Sequence, residues 1–500
     1  MAKNYLSPGV YIEELNALPI QVNQVATAIP AFIGYTEKAM NNGISLINTP
    51  TRISSFFEYN MLFGEGFKPK YSLKPASLNS DESIEHVITI AGVDMAISYM
   101  DGHQFYLHKS LKLFFENGGG ACYIISVGTY GSKPDGETVE KEAIFTGLDT
   151  LLHTPEPTLI VIPDAVLLSS DSCYHVYTNV LRQCGTLRNR FAIFDVHNGF
   201  GERIEGTAEE GDVISILRNK TGNQNLNYGA VYYPWLHTKT VSNTMFNFEN
   251  LDISINLETL LPEPAAKALL FNVDYLNFND LEKQRLNVSL LNESPTYRNL
   301  LDKITEIENL LPPSGAIAGV FTTVDNARGV WKAPANVSLS GVIKPSININ
   351  TKMINSLTVD RSGKSINTIR AFTGIGVLVW GARTLDGNAS GSRYVPVSRT
   401  LIMLEQSIKL ALNAFTFEPN SSKTWANVKL VIDNYLHINW RNGTFSGAKP
   451  KDAYNVLVGL NETMTQTDIS NGKLIVECYV ALIKPAEFMV IKLEHQMSTE

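Results

Sequence analysis

Five hundred residues with a net charge of −8, 44% hydrophobic and 18% charged, exceed one ordinary domain and hold ample material for cores. The charged share lies under the usual quarter, and the negative balance without any Lys/Arg run argues against nucleic acid as a partner. The opening MAKNYLSPGVYIEEL lacks the apolar run of a secretory signal, no stretch approaches the ~20 apolar residues of a membrane span, and Cys122, Cys173, Cys184 and Cys478, without a CxxC pair, read as buried reduced thiols.

Residues 1–28 read as an extended arm, punctuated by Pro8 and Pro19 with β-branched residues between them. At ~3.3 Å per residue, about 25 such residues reach roughly 80 Å, enough to touch a neighbouring body. AIPAFIGYTEKA (28–39) reads as a buried strand with a polar exit, followed by a loop-rich stretch. FYLHKSLKLFFENGGG (105–120) has helical spacing at Leu107, Leu111 and Phe114/Phe115, with Gly118 as its cap. ACYIISVG (121–128) is a strand, 148–165 a helix, loop and apolar strand, and 173–196 again helix then strand. That alternation predicts an α/β layer with a largely parallel sheet. YGAVYYPW (228–235) reads as a strand ended by Pro234, within an ambiguous Asn/Gly-rich stretch over 200–260. LLDKITEIENLL (300–311) reads as a helix stopped by Pro312-Pro313.

After about 345 the chain changes character. SRTLIMLEQSIKLALNAF (398–415) is amphipathic, with Leu401, Leu404, Ile408, Ala411 and Leu412 on one face. A second helix spans 421–443, with Asn420 or Ser421 as N-cap and Gly443 past its end. Strands are expected at 454–460, 474–483 and, after Lys484-Pro485, at 487–496.

Motifs for chemistry are scarce. RSGKS (361–365) resembles the end of a phosphate-binding loop, but Thr358 stands where its first glycine belongs, so a polar turn is expected. GIGVLVWG (374–381) has Val379 where GxGxxG needs its third glycine and reads as a buried strand. His103 and His108 are five apart, on different helix faces, so they form no metal pair. No GxSxG occurs, and the expectation is a non-enzyme without cofactor or metal.

The ordered motifs SPGVYIEEL, AFIGYTEKA, FFENGGGACYIISVG, VIPDA, YYPW, SGAIAGVFTTVDNARGVWKAPAN, INTIRAFTGIGVLVWGARTL, AFTFEPNSSKTW, NGTFSGAKPKDAYNVLVGLNETM and NGKLIVECYVALIKPAEFMVIKLEHQ resemble the contractile tail sheath proteins of phages and contractile injection systems. The likeness covers most of the chain, strongest over 314–496 and the first 40 residues. It implies a mixed α/β (α+β) fold with an N-terminal arm (1–28), an outward α/β body (29–345) and a variable insertion around 200–310. A tube-facing C-terminal domain (346–484) and a final strand and tail (485–500) complete it. That C-terminal domain would hold two helices and a small sheet completed by neighbouring subunits.

The implied function is a sheath of stacked hexameric rings around an inner tube, contracting from a metastable extended state to drive the tube through a target membrane. The implied partners are other copies of the chain, the inner tube protein, and baseplate and terminal cap proteins. Assembly in a bacterial cytoplasm, into a phage tail or a released tail-like particle, follows from the same likeness. The exchanged strands would be Val10, Tyr11, Ile12, Glu13, Glu14 and Leu15, and Phe488, Met489, Val490, Ile491, Lys492 and Leu493. Both faces of the latter are apolar. Arg399, Glu405 and Lys409 would meet the inner tube, unless they are the solvated face of an amphipathic helix. Arg370, Trp380, Arg383, Phe417, Pro419 and Asn420 read as structural: core packing, a salt bridge and the start of a helix. The alternatives are another strand-exchanging shell protein, such as a capsid or surface layer, or an α/β enzyme with a β-rich appendage.

Overall fold

The computed structural model describes residues 21–76, 86–100, 104–131, 138–203 and 211–487. Contacts divide the chain into two compact units, whose described parts are 26–403 with 484–487, and 21–25 with 404–483. The expected boundary at 345/346 does not coincide with this division. The reason is hydrogen bonding: Asn367–Phe372 and Gly376–Trp380 belong to the larger unit's sheet.

That nine-stranded sheet contains β1 Pro30–Thr36, β2 Thr51–Ile53, β3 Cys122–Thr129, β4 Leu159–Val161, β5 Phe191–Asp195, β6 Gly229–Tyr233, β7 Val337–Ser338, β8 Asn367–Phe372 and β9 Gly376–Trp380. Their order is β7-β9-β8-β6-β5-β4-β1-β3-β2. From β8 across to β3 every neighbouring pair is parallel. The edges, β2 on one side and β9 with β7 on the other, are antiparallel.

Side chains alternate along β1. Phe32 enters one core, while Ala31, Ile33 and Tyr35 enter another across the sheet. Helices cover both faces, and that is why the parallel strands read as unbroken apolar runs. Leu107–Glu116 and Ser314–Arg328 lie on the Phe32 side; Lys141–Thr150, Ser170–Leu187 and Val213–Lys220 lie on the other.

Two sequence details fix the first helical layer. The helix Leu107–Glu116 has no side-chain cap of its own. Asp164, in the turn after β4, supplies one: its carboxylate accepts from the N–H groups of Tyr106 at 2.6 Å, Leu107 at 3.1 Å and Tyr35 at 2.9 Å. Gly34 makes room, since a Cβ there would meet Asp164 Oδ2 at 2.4 Å. Burial pushes the Asp164 carboxyl up to about 6, against the lowering effect of those three donors. The second detail is Gly315 and Gly319, one helical turn apart. A Cβ on either would stand 2.4 or 2.5 Å from the backbone carbonyl oxygens of Ser110 and Phe114, so the two helices touch backbone to backbone.

The stretch expected to be loop-rich after 40 contributes a three-stranded antiparallel sheet, Tyr71–Pro75, Val93–Tyr99 and His86–Ile90 in that spatial order. It shares a third core with Asp280–Glu293 and Pro295–Glu308. Glu308 ties this body to the helix Leu107–Glu116. Buried to 4% exposure, it accepts from Tyr71 and Tyr99 hydroxyls and from the Lys109 ammonium at 2.7 Å.

RSGKS forms a turn with Gly363 at φ +79, and the buried Lys364 ammonium donates to the Arg218 carbonyl. Cys122, Cys173 and Cys184 are buried, but Cys478 is exposed, contrary to expectation, because neither face of its strand is fully covered. Among the described residues no helix is long and apolar enough to cross a membrane.

Candidate assembly surface

The smaller unit is built on the helix Ser422–Arg441, whose N-cap is Ser421 and which is followed by Gly443 at φ +82. Val428, Ile432, Tyr435, Leu436 and Asn439 form its buried stripe, at helical spacing. The strand Tyr454–Leu457 packs near it, with the Tyr454 hydroxyl 3.3 Å from His437 Nδ1. Its partner Glu477–Val480 runs antiparallel, with Tyr454 opposite Val480 and Val456 opposite Cys478.

Among the described residues this sheet has two strands and no third. Two-stranded sheets are marginal by themselves, and an edge strand presents a row of unpaired N–H and C=O groups. Val456 is buried, whereas Tyr479 on the partner strand is 56% exposed. Leu410, Leu430, Ile438 and Leu460 are also exposed in this unit. The unit therefore offers open backbone edges beside uncovered apolar side chains, a combination that accepts added strands.

In the larger unit, the two places where the chain approaches its ends are pinned by arginines. Arg399, 3% exposed, makes a two-pronged ion pair with Asp325 at 2.9 and 2.6 Å and lies 4.6 Å from the Phe321 ring centroid. The same guanidinium donates to the Thr27 carbonyl at 2.8 Å, and the Thr27 hydroxyl donates to Asp325 at 2.6 Å. Arg383, 5% exposed, donates from Nε to Glu487 Oε1 at 2.8 Å and from Nη2 to Glu487 Oε2. Its backbone is bracketed by the Asn367 amide, which accepts from Arg383 N at 2.7 Å and donates to its carbonyl at 2.8 Å. The Tyr394 hydroxyl also reaches Glu487.

These positions correct several expectations. Arg399, expected on a surface that meets the inner tube, is instead buried: it sits on the same helix face as the buried Ile402 and Met403, and its charge is neutralised inside the fold. Glu405 and Lys409 are exposed. Leu401, expected on the apolar face, is 41% exposed, one position round the helix from Ile402. Trp380 is not core either; it is exposed at the end of β9 and packs on Phe372 with ring centroids 4.7 Å apart. Arg370 is half-buried over that same Phe372 ring. Phe417 is fully exposed at φ +71, held open by the turn that precedes the helix, and Pro419 is exposed. Asn420 does organise that helix start, accepting from Trp425 Nε1 at 2.6 Å and donating to the Lys473 carbonyl at 2.9 Å. The salt bridge expected of Arg383 is present. Val10–Leu15 and Phe488–Leu493 lie outside the described residues. Thr27, Asp325 and Glu487 escaped the sequence reading, because their partners are remote in the chain and no spacing signals them.

No family model matches the chain. A curated tail sheath protein of Vibrio phage KVP40 is 28% identical over 148 residues, covering 28% of this chain and 21% of the phage protein, so that match spans about a fifth of the relative. Solved structures are matched almost whole. The chain has 27% identity and a TM-score of 0.59 to a chain of an extracellular contractile injection system, the PVC sheath complex in its contracted state, covering 99% of each. The anti-feeding prophage helical sheath in its contracted state matches at 26% identity and TM-score 0.59, over 98% of this chain and all of that one. A chain of the anti-feeding prophage baseplate structure matches at 27% identity and TM-score 0.60, over 99% of this chain and all of its own length.

Proposed function

We propose that this chain, a relative of the contractile tail sheath proteins, is the structural subunit of a contractile sheath and not an enzyme. Subunits stack as hexameric rings into a helical tube around an inner tube protein. The tube is bounded by baseplate and terminal cap proteins, and assembly takes place in a bacterial cytoplasm. The sheath passes from a metastable extended state to a compact one and drives the inner tube through a target membrane, as part of a phage tail or a released tail-like particle. The observation that carries this reading is the open two-stranded sheet of Tyr454–Leu457 and Glu477–Val480, in a chain that matches sheath chains along its whole length.

In this reading the strand Val10–Leu15 of one subunit and Phe488–Leu493 of another add to that sheet's edges. Backbone hydrogen bonds supply most of the link, so the join tolerates reorientation of the bodies it connects. A head-to-tail link of this kind does not close on itself and propagates as a helix. Glu405 and Lys409 face the inner tube, through screened polar contacts weak enough to release. The energy of contraction comes from contact area gained in the compact state, with a barrier holding the extended one.

Deleting residues 1–20 tests the link. The shortened subunit is expected to fold, by circular dichroism and melting, yet to form no tubes by negative-stain microscopy. Normal tubes from the deletion variant would rule out arm exchange.

A further inference from the structure

Resting on that strand-exchange reading, we propose that Arg399 and Arg383, through Asp325 with Thr27 and through Glu487, are the positioning residues that fix the roots of the exchanged segments. The chain passes between its two compact units at 25/26, 403/404 and 483/484. Each passage has an ionic anchor close by in the larger unit. Thr27 follows the first and Arg399 precedes the second, and both converge on Asp325. Glu487 follows the third, held by Arg383 and Tyr394, while the Lys484 ammonium donates to the Ser390 carbonyl at 2.9 Å.

The chemistry suits positioning. A buried ion pair adds little net stability relative to apolar packing, yet a planar guanidinium gripping a carboxylate at two points fixes direction as well as distance. An arm that binds a neighbour gives up chain entropy on doing so. Fixing where it leaves the body raises its effective concentration at the receiving edge. The same roots carry any load transmitted along an exchanged strand. An added strand's own hydrogen bonds are spread over several residues, whereas its root is one point.

The test uses the full-length chain. Arg383→Met together with Glu487→Leu removes the C-terminal anchor without leaving a buried charge unpaired, and Thr27→Val removes the hydroxyl from the N-terminal one while leaving the Arg399–Asp325 pair intact. Each variant is expected to melt like the parent and to raise the protein concentration needed for tube formation by about tenfold. The charge exchange Arg383→Glu with Glu487→Arg is expected to recover part of the loss. Melting that falls in step with assembly would assign these residues to stability and overturn the proposal. Parental assembly in both variants, beside failure of the 1–20 deletion, overturns it while leaving strand exchange standing. Assembly of the deletion itself removes the exchange reading, and this proposal with it.

Discussion

Asp195 closes β5 with its carboxyl almost wholly buried, accepting from the Ser314 N–H at 2.8 Å. Burial pushes this carboxyl up to about 7, and the Ser314 contact only partly opposes it. A carboxyl whose folded value is raised is bound to its proton longer in the folded chain than in the unfolded one. Its contribution is therefore complete below about pH 4, where both states are protonated, and is lost as the pH climbs toward 7. The Asp195→Asn variant keeps an acceptor for Ser314 and has nothing to ionise. Melting of the soluble subunit at pH 5 and pH 8 should show the parent losing stability across that interval, by on the order of 1–3 kcal/mol, with the variant losing less. Equal losses would mean that Asp195 is not the group responsible. Residues of this kind were opaque in the sequence. FAIFDV reads as a strand, but nothing in it announces that its aspartate meets the start of a helix more than a hundred residues later.

At the scale of elements, the contact between Leu107–Glu116 and Ser314–Arg328 depends on having no side chain at Gly315 and Gly319. Gly319→Leu should force the helices apart and cost roughly 1–3 kcal/mol or more. Gly120→Ala, where a Cβ meets nothing within 4 Å, should cost far less. Thermal melting of the two variants measures the difference, and similar losses would show that the pair tolerates separation. Of the two, Leu107–Glu116 was legible from the spacing of Leu107, Leu111 and Phe114, whereas the stretch after the Pro312-Pro313 stop was read as a motif and not as a helix. Neither that second helix nor the close approach of the pair was legible, because small residues in a helix carry no period of their own. The sheet Tyr71–Tyr99 was missed for a related reason: its strands are partly exposed, with short alternations that a loop also shows.

For the whole molecule, the proposed work of contraction is stored in packing. The turn RSGKS shows how such a motif is used structurally here, with the Lys364 ammonium committed to the Arg218 carbonyl. Extended sheaths of this subunit should accordingly shorten on mild heating or in dilute urea at the same rate with and without ATP, followed by microscopy of tube length. An ATP-dependent rate would point to a different source of energy. The shortened tubes should not lengthen again on return to the starting buffer, as befits release from a kinetically held state.

The sequence alone determined the alternation of helix and strand through 105–196, the buried run of β1, the two long C-terminal helices and the ordered motifs that resemble those of tail sheath proteins. All of these rest on local period, punctuation by Gly and Pro, or short runs, which neighbouring residues specify together. Only the tertiary structure decided that 367–380 joins the larger sheet, that Arg399 is buried against Asp325 and that Trp380 is exposed. It also placed Glu487 on Arg383. These depend on partners far away in the chain, and a side chain's pattern is the same whether its charge meets water, another subunit or a carboxylate inside its own fold.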